Sequence, residues 1–287
     1  MRAATLDMHI HAFSPLEVWQ GAATLGLSLV DYLRQLKAAG LGTLPGTAAE
    51  ILDDDVRATL CPDKLNTAQW LEVMETAHSL GFRTTATIMY GHIEQPQHWA
   101  RHLLQLRAVQ ARTGGFTELV PLPFVHMEAP MYLRGKARRG PTFREAVLMH
   151  AVSRLVLNGF IDNIQTSWVK MGEAGVDVCL NAGANDLGGT LMNESITRAA
   201  GAAHGQEWAP DVMEARIHAL GRNPRLRTTL YGDAAAERRT VANRAIPLVP
   251  IENTDAGKHA RDKRLLPHVD VPAATPPEQV VMMAACN

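Results

Sequence analysis

Extended segments and amphipathic helices alternate along this chain as far as Gly232. "DMHIHAF" (7–13) reads as a strand, and "SLVDYLRQLKAAG" (28–40) spaces its apolar residues for a helix that stops at Gly40. "GTLPGTAAEIL" (42–52) reads as a short strand and a glycine-bearing turn. A helix follows over 66–81, capped by Asn66 or Thr67 and ended by Gly81. The β-branched run "RTTATIMYG" (83–91) predicts a buried strand. Then come a helix over 96–114 with Pro96 in its first turn, a strand over 117–125, and a helix over 141–159. Two further strands are expected at 161–169 and 176–186, and a last clear helix at 192–205.

Such alternation, with short joins, implies an α/β fold with a parallel sheet and right-handed crossovers. About six parallel strands suit most of a (β/α) barrel. Past Gly232, prolines, charges and short apolar pieces mix without period. The expected organisation is thus a partial barrel over 1–232 and an irregular or disordered tail over 233–287.

Composition narrows the picture. In 287 residues, 46% are hydrophobic, enough for a sizeable core, and the net charge is −1. With a sequence pI near 6.9, there is no bulk attraction to nucleic acid or to an anionic membrane. No apolar run approaches a membrane span, and the N-terminus lacks a signal-peptide layout. Cys61, Cys179 and Cys286 are too few and too scattered for a disulfide framework or a zinc knuckle. A cytoplasmic location is expected.

Barrel enzymes gather their chemistry at the C-terminal ends of strands. Polar residues recur there: His9, His11 and Ser14; Thr47 and Glu50; Tyr90, His92 and Glu94; His126; Gln165, Ser167 and Lys170; Asn185 and Asp186. His9 and His11 share a face of an extended segment, as two metal ligands or as hydrogen-bonding imidazoles. A metal-dependent, amidohydrolase-like hydrolase using that pair needs a lysine before two later histidines. Here Lys170 follows His92 and His126, so the order is wrong. "GANDLGGT" (183–190) fits a ligand loop or a helix entry.

Long stretches together resemble one family: "HIHAFSP", "GLGTLPGTAAEILDDDVR", "CPDK", "TTATIMYGHIE", "TGGFTELVPLPFVH", "GPTFREAVLMHAVSR", "NIQTSWVKMG", "GANDLGGTLMNESITRAAGA" and "RTTLYG". They are similar to the radical S-adenosylmethionine enzymes of deazaflavin synthesis, closest to the tyrosine-ligating subunit or half of FO synthase. The related menaquinone-pathway radical enzymes share "HIHAFSP" and a "YGH.E" pattern and are the alternative. The resemblance implies a (β/α) barrel, S-adenosyl-L-methionine and a 4Fe-4S cluster. It also implies transfer of the 4-hydroxybenzyl group of L-tyrosine to 5-amino-6-(D-ribitylamino)uracil, with a second FO synthase subunit or half as partner. By the same resemblance Glu50, Arg57, Tyr90, Gly91, His92 and Glu94 would meet S-adenosylmethionine. His9, His11, Ser14, Gln165, Ser167 and Asn185 would hold the substrates.

The chain departs from the family in one place: it contains no CxxxCxxC, and only six residues precede the first expected strand. Cluster ligation needs thiolates. The expectation is therefore a family member without its first two βα units, inactive on its own, with an open sheet edge at 7–13.

Overall fold

The computed structural model describes residues 8–191, 194–205, 207–242 and 244. These lie in one compact unit, 1–252. Its elements run α1 (Pro15–Leu25), α2 (Leu29–Ala38), β1 (Thr43–Leu44), α3 (Asp54–Leu60), α4 (Thr67–Ser79), β2 (Arg83–Tyr90), α5 (Pro96–Thr113) and β3 (Phe116–Pro123). Then follow α6 (Pro130–Leu133), α7 (Phe143–Leu157), α8 (Trp168–Asn181), α9 (Ile196–Ala199), α10 (Pro210–Ala219) and α11 (Ala236–Ala242). Residues 233–235, α11 and Arg244 lie beyond residue 232, and the rest of the expected tail lies outside the described residues.

The sheet is parallel, in the order β1-β2-β3. Isolated parallel bridges extend it on both sides: His11 to Thr43, Leu119 to Ile164, and Gln165 to Asp186. Where six strands were expected, three are regular. The other three segments make too few ladder bonds to form strands.

Period-two alternation gives the sheet two unlike faces. Ala86 pairs with Leu119 and Leu119 with Ile164. Ala86, Ile88, Tyr90, Phe116 and Leu119 meet Trp70, Met74, Leu103, Leu106 and Met149 in the main core under α4, α5 and α7, and Ile164 is likewise buried. On the other face, Thr85 pairs with Glu118 and Gln165 with Asp186.

Caps explain several helix starts. Ser14, Asn66 and Thr142 each form a reciprocal capping box, with Glu17, Gln69 and Glu145 respectively. α1 is a helix that apolar spacing did not announce. The cap of Ser14 and Pro15 at its first position start it.

Two elements differ from expectation. The run 176–186, expected as a strand, is largely helix, because α8 extends to Asn181. "VDVCL" alternates like a strand, yet Val176, Cys179 and Leu180 also fall at helical spacing. In that form they pack with Trp168, Leu187, Trp208 and Met213. The helix expected over 192–205 shortens to one turn, α9, while α10 forms where none was read.

Candidate functional site

The second face of the sheet is ionisable. Glu118, buried in β3, accepts hydrogen bonds from the Tyr231 hydroxyl (2.5 Å), Gln165 Nε2 (3.2 Å) and Arg227 Nη2 (3.5 Å). Arg227 also grips both oxygens of Asp186, with Nη2 at 2.9 Å from Oδ1 and Nε on Oδ2. Its guanidinium lies over the Tyr231 ring, 4.1 Å from the centroid. Burial pushes the Glu118 carboxyl above its ordinary value, although Tyr231 and Arg227 pull against that shift. Burial, reinforced by Glu118, raises the Tyr231 phenol. For Arg227, burial is outweighed by the bonds to Asp186, which hold its charge firmly.

Arg227 and Tyr231 arrive on a tight turn. Arg227 bridges Asp233 antiparallel, Thr228 N donates to Gly232 O, and Tyr231 N to Thr228 O. Tyr231 takes a left-handed φ of 63°, a costly backbone for an aromatic residue that aims its side chain at Glu118. On the sheet side, Gly188 donates to Asp186 Oδ1, and a Cβ at Gly188 would stand 3.0 Å from Gln165 Oε1.

At the other edge His9 Nε2 and His11 Nδ1 both lie 2.7 Å from Thr43 Oγ1. One shared hydroxyl thus orients both imidazoles. Among the described residues, no group of three or more His, Cys, Asp or Glu is arranged to hold a metal ion. Between the two ends, Thr85 Oγ1 accepts from Gly46 N (2.8 Å) and Thr87 Oγ1 donates to Gly46 O (2.6 Å). A Cβ on Gly46 would come within 2.2 Å of Thr85 O, so only glycine permits this approach.

The loop after Gly46 is strained at Ala48 and Glu50, with φ of 62° and 44°. Arg57, 3% exposed, fastens it by donating to the carbonyls of Ala48, Ala49, Ile51 and Leu65. The Arg57 guanidinium is thereby committed within the protein. Among the described residues the Glu50 side chain is bound by Lys64, 2.8 Å away, and its carbonyl accepts from Met89 N.

"YGHIE" forms a second rigid loop. Glu94, fully buried, accepts from Gly91 N, His92 N and Trp99 Nε1 and stands 2.9 Å from His92 Nδ1. Burial opposes its charge, but His92, the Gly91 amide and Trp99 overcome it and hold the carboxyl far below the usual range. Tyr90 is buried against Trp99, and among the described residues its hydroxyl has no hydrogen-bond partner. Gly91 has φ 97°, and a Cβ there would strike Pro141.

The remaining sequence candidates lie as follows. Ser14 caps α1 through Glu17. Ser167 is the buried N-cap residue of α8, without a side-chain capping bond. Asn185 is engaged with Ile164 N, Arg154 and Asp162 O. Alternation turns its neighbour Asp186 to the Glu118 side instead. Gln165 alone of the substrate candidates touches the carboxylate cluster. Glu118, Arg227 and Tyr231 were missed by sequence reasoning. Their signal was an acidic residue inside an apolar strand and an Arg–Tyr pair in "RTTLYG".

The chain is an α/β protein whose short parallel sheet is apolar and helix-covered on one face and ionisable on the other. Residues 113–239 match the family described as the CofH/MqnC C-terminal region. The chain is 53% identical to FO synthase of Nocardia farcinica over 245 residues, which is 85% of this chain and 28% of that protein. It is 54% identical to FO synthase of Streptomyces coelicolor over 82% of this chain and 27% of that protein. It is 52% identical to the 5-amino-6-(D-ribitylamino)uracil--L-tyrosine 4-hydroxyphenyl transferase of Methanocaldococcus jannaschii, over 78% of this chain and 63% of that protein. The chain is therefore a homologue of the FO synthases and of this transferase. It spans roughly a quarter of the length of those FO synthases.

Proposed function

We propose that this chain forms the substrate-holding part of a radical S-adenosylmethionine 4-hydroxyphenyl transferase of FO synthase type. In this reading it carries L-tyrosine and 5-amino-6-(D-ribitylamino)uracil on the ionisable face of a partial (β/α) barrel. The observation that carries the proposal is the convergence of Glu118, Gln165, Asp186, Arg227 and Tyr231 on that face, in a chain 52% identical to the named transferase.

The proposed roles follow from what each group is free to do. The imidazoles of His9 and His11, ordered by Thr43, lie at one end of the face and donate or accept toward a substrate. Glu50, whose carboxylate among the described residues is held by Lys64, is the group suited to the paired ribose hydroxyls of S-adenosylmethionine. Arg57 and Glu94 then act by holding the Glu50 loop and the Tyr90–Glu94 loop in shape. Ser14 and Asn185 order the α1 entry and the 162–185 join around the substrates, and Ser167, whose side chain makes no capping bond, is a substrate contact in this reading.

A 4Fe-4S cluster does not fit the described residues. Cys61 and Cys179 are both buried, on separate elements, and burial pushes the Cys179 thiol up to about 11. Such a cluster would be held by another part of the enzyme, the FO synthase partner half or subunit.

Calorimetric titration of the purified chain with L-tyrosine tests the proposal. Saturable binding that weakens about tenfold in Asp186→Asn is expected, the scale of one charge-assisted contact. Absence of binding by L-tyrosine, S-adenosylmethionine and the aminouracil alike would remove the proposal.

A further inference from the structure

The Tyr231 phenol is held as a bound phenol would be. Its hydroxyl sits on a buried carboxylate whose other partners are Gln165 and Arg227. A guanidinium covers its ring. The residue that delivers it is backbone-strained. The turn's own hydrogen bonds are internal, from Thr228 to Gly232, from Tyr231 to Thr228, and from Gly232 N to Thr228 Oγ1. A rigid swing of the turn therefore keeps them. Such a swing gives up the contacts of Tyr231 with Glu118 and of Arg227 with Asp186 and Glu118, while an exposed Arg225–Asp233 ion pair stays within the turn.

We propose that Glu118 and Gln165 form a phenol-binding subsite, which the chain fills with its own Tyr231 until a phenolic ligand displaces that residue and its turn. The subsite is read from this geometry. That the natural ligand is the side chain of L-tyrosine rests on the function proposed above. The carboxylate accepts the hydrogen bond of the phenolic hydroxyl, and Gln165 fixes the carboxylate. Self-occupancy keeps a buried carboxylate partnered when no ligand is bound, which avoids the cost of an unsatisfied buried charge.

The test uses p-cresol and toluene, two probes that differ by one hydroxyl, with the whole chain, Tyr231→Ala and the double variant Glu118→Gln, Tyr231→Ala. Tyr231→Ala is expected to bind p-cresol at least about tenfold more tightly than the unaltered chain, and the double variant to lose about tenfold. Toluene should bind weakly and be indifferent to Glu118. Equal binding of p-cresol and toluene, unaffected by Glu118→Gln, would overturn the subsite and leave only a cavity. If Tyr231→Ala does not fold, hydrogen exchange on the unaltered chain decides. Saturating p-cresol should speed exchange across 225–233 and slow it across 116–120, and no change in either overturns the proposal. Binding of p-cresol without binding of L-tyrosine would keep the subsite and remove the tyrosine reading.

Discussion

The Tyr231 hydroxyl donates to the Glu118 carboxylate at 2.5 Å across 113 positions of sequence. This bond ties the last well-packed turn to the middle of the sheet, and it makes the pair a reporter of site integrity. Tyr231→Phe should cost about 1–3 kcal/mol, the scale of a hydrogen bond to a charged buried group, measured by urea denaturation. The Glu118 carboxyl is raised in the fold, so its proton is held more tightly there than in the unfolded chain. Its contribution to stability is full below the ordinary glutamate value of 4.5 and is lost as pH rises through the folded value. Glu118→Gln should flatten that part of the stability profile, and an unchanged profile would count against the described burial.

Glu94 works with the opposite sign. Its carboxyl is depressed, so its stabilisation is present above the ordinary value of 4.5 and is lost as pH falls below it. Glu94→Ala removes the anchor of Gly91 N, His92 N and Trp99 together. A cost of about 3–5 kcal/mol is expected for breaking one buried charged network. A thermal shift within error of the unaltered chain would contradict the anchoring role.

Arg57 is expected to tolerate no lysine. Its planar fork reaches carbonyls of Ala48, Ala49, Ile51 and Leu65 at once, a geometry that one ammonium cannot reproduce. Arg57→Lys should lose about 2–4 kcal/mol, since it strands buried carbonyls. It should also raise proteolytic nicking in the 46–52 loop. Intact resistance to nicking would show that the loop holds itself.

Two structural histidines should set the acid limit. His78 lies between Thr113 and Thr84, and burial with help from Arg83 lowers it to about 4. His102 joins Leu52 N to Thr87 O, and burial, only partly offset by the Thr87 carbonyl, lowers it to about 3. Both stay neutral in the fold while the unfolded chain protonates near 6.5. Stability should therefore fall below pH 6.5 by about 1.4 kcal/mol per pH unit for each group, down to their folded values. His102→Asn should reduce that slope by about 1.4 kcal/mol per pH unit, and an unaltered slope would refute the assignment.

Much of this was legible in sequence, for reasons that differ by element. β2 and β3 announced themselves because long β-branched and apolar runs have few alternatives. α4, α5 and α7 carried caps and glycine stops. "VDVCL" misled because its spacing serves a strand and a helix alike, and the cluster around Trp168 and Trp208 decides. Among site candidates, Gln165 meets the cluster, while Arg57 and Glu94 are committed to loop backbone. Nothing local in "TGGFTELVPLP" or "RTTLYG" says that Glu118 and Tyr231 meet, because only the order of the parallel sheet and the turn at 225–233 bring them together.

The central claim is that the ionisable face of the sheet, from His11 across to Asp186, receives the ligand. Hydrogen exchange with and without saturating L-tyrosine tests it most directly. Slowed exchange at 116–120, 163–166 and 185–188, with α2 and α4 unchanged, is the predicted result. Uniform exchange across those segments, or protection confined to the outer helices, would contradict it.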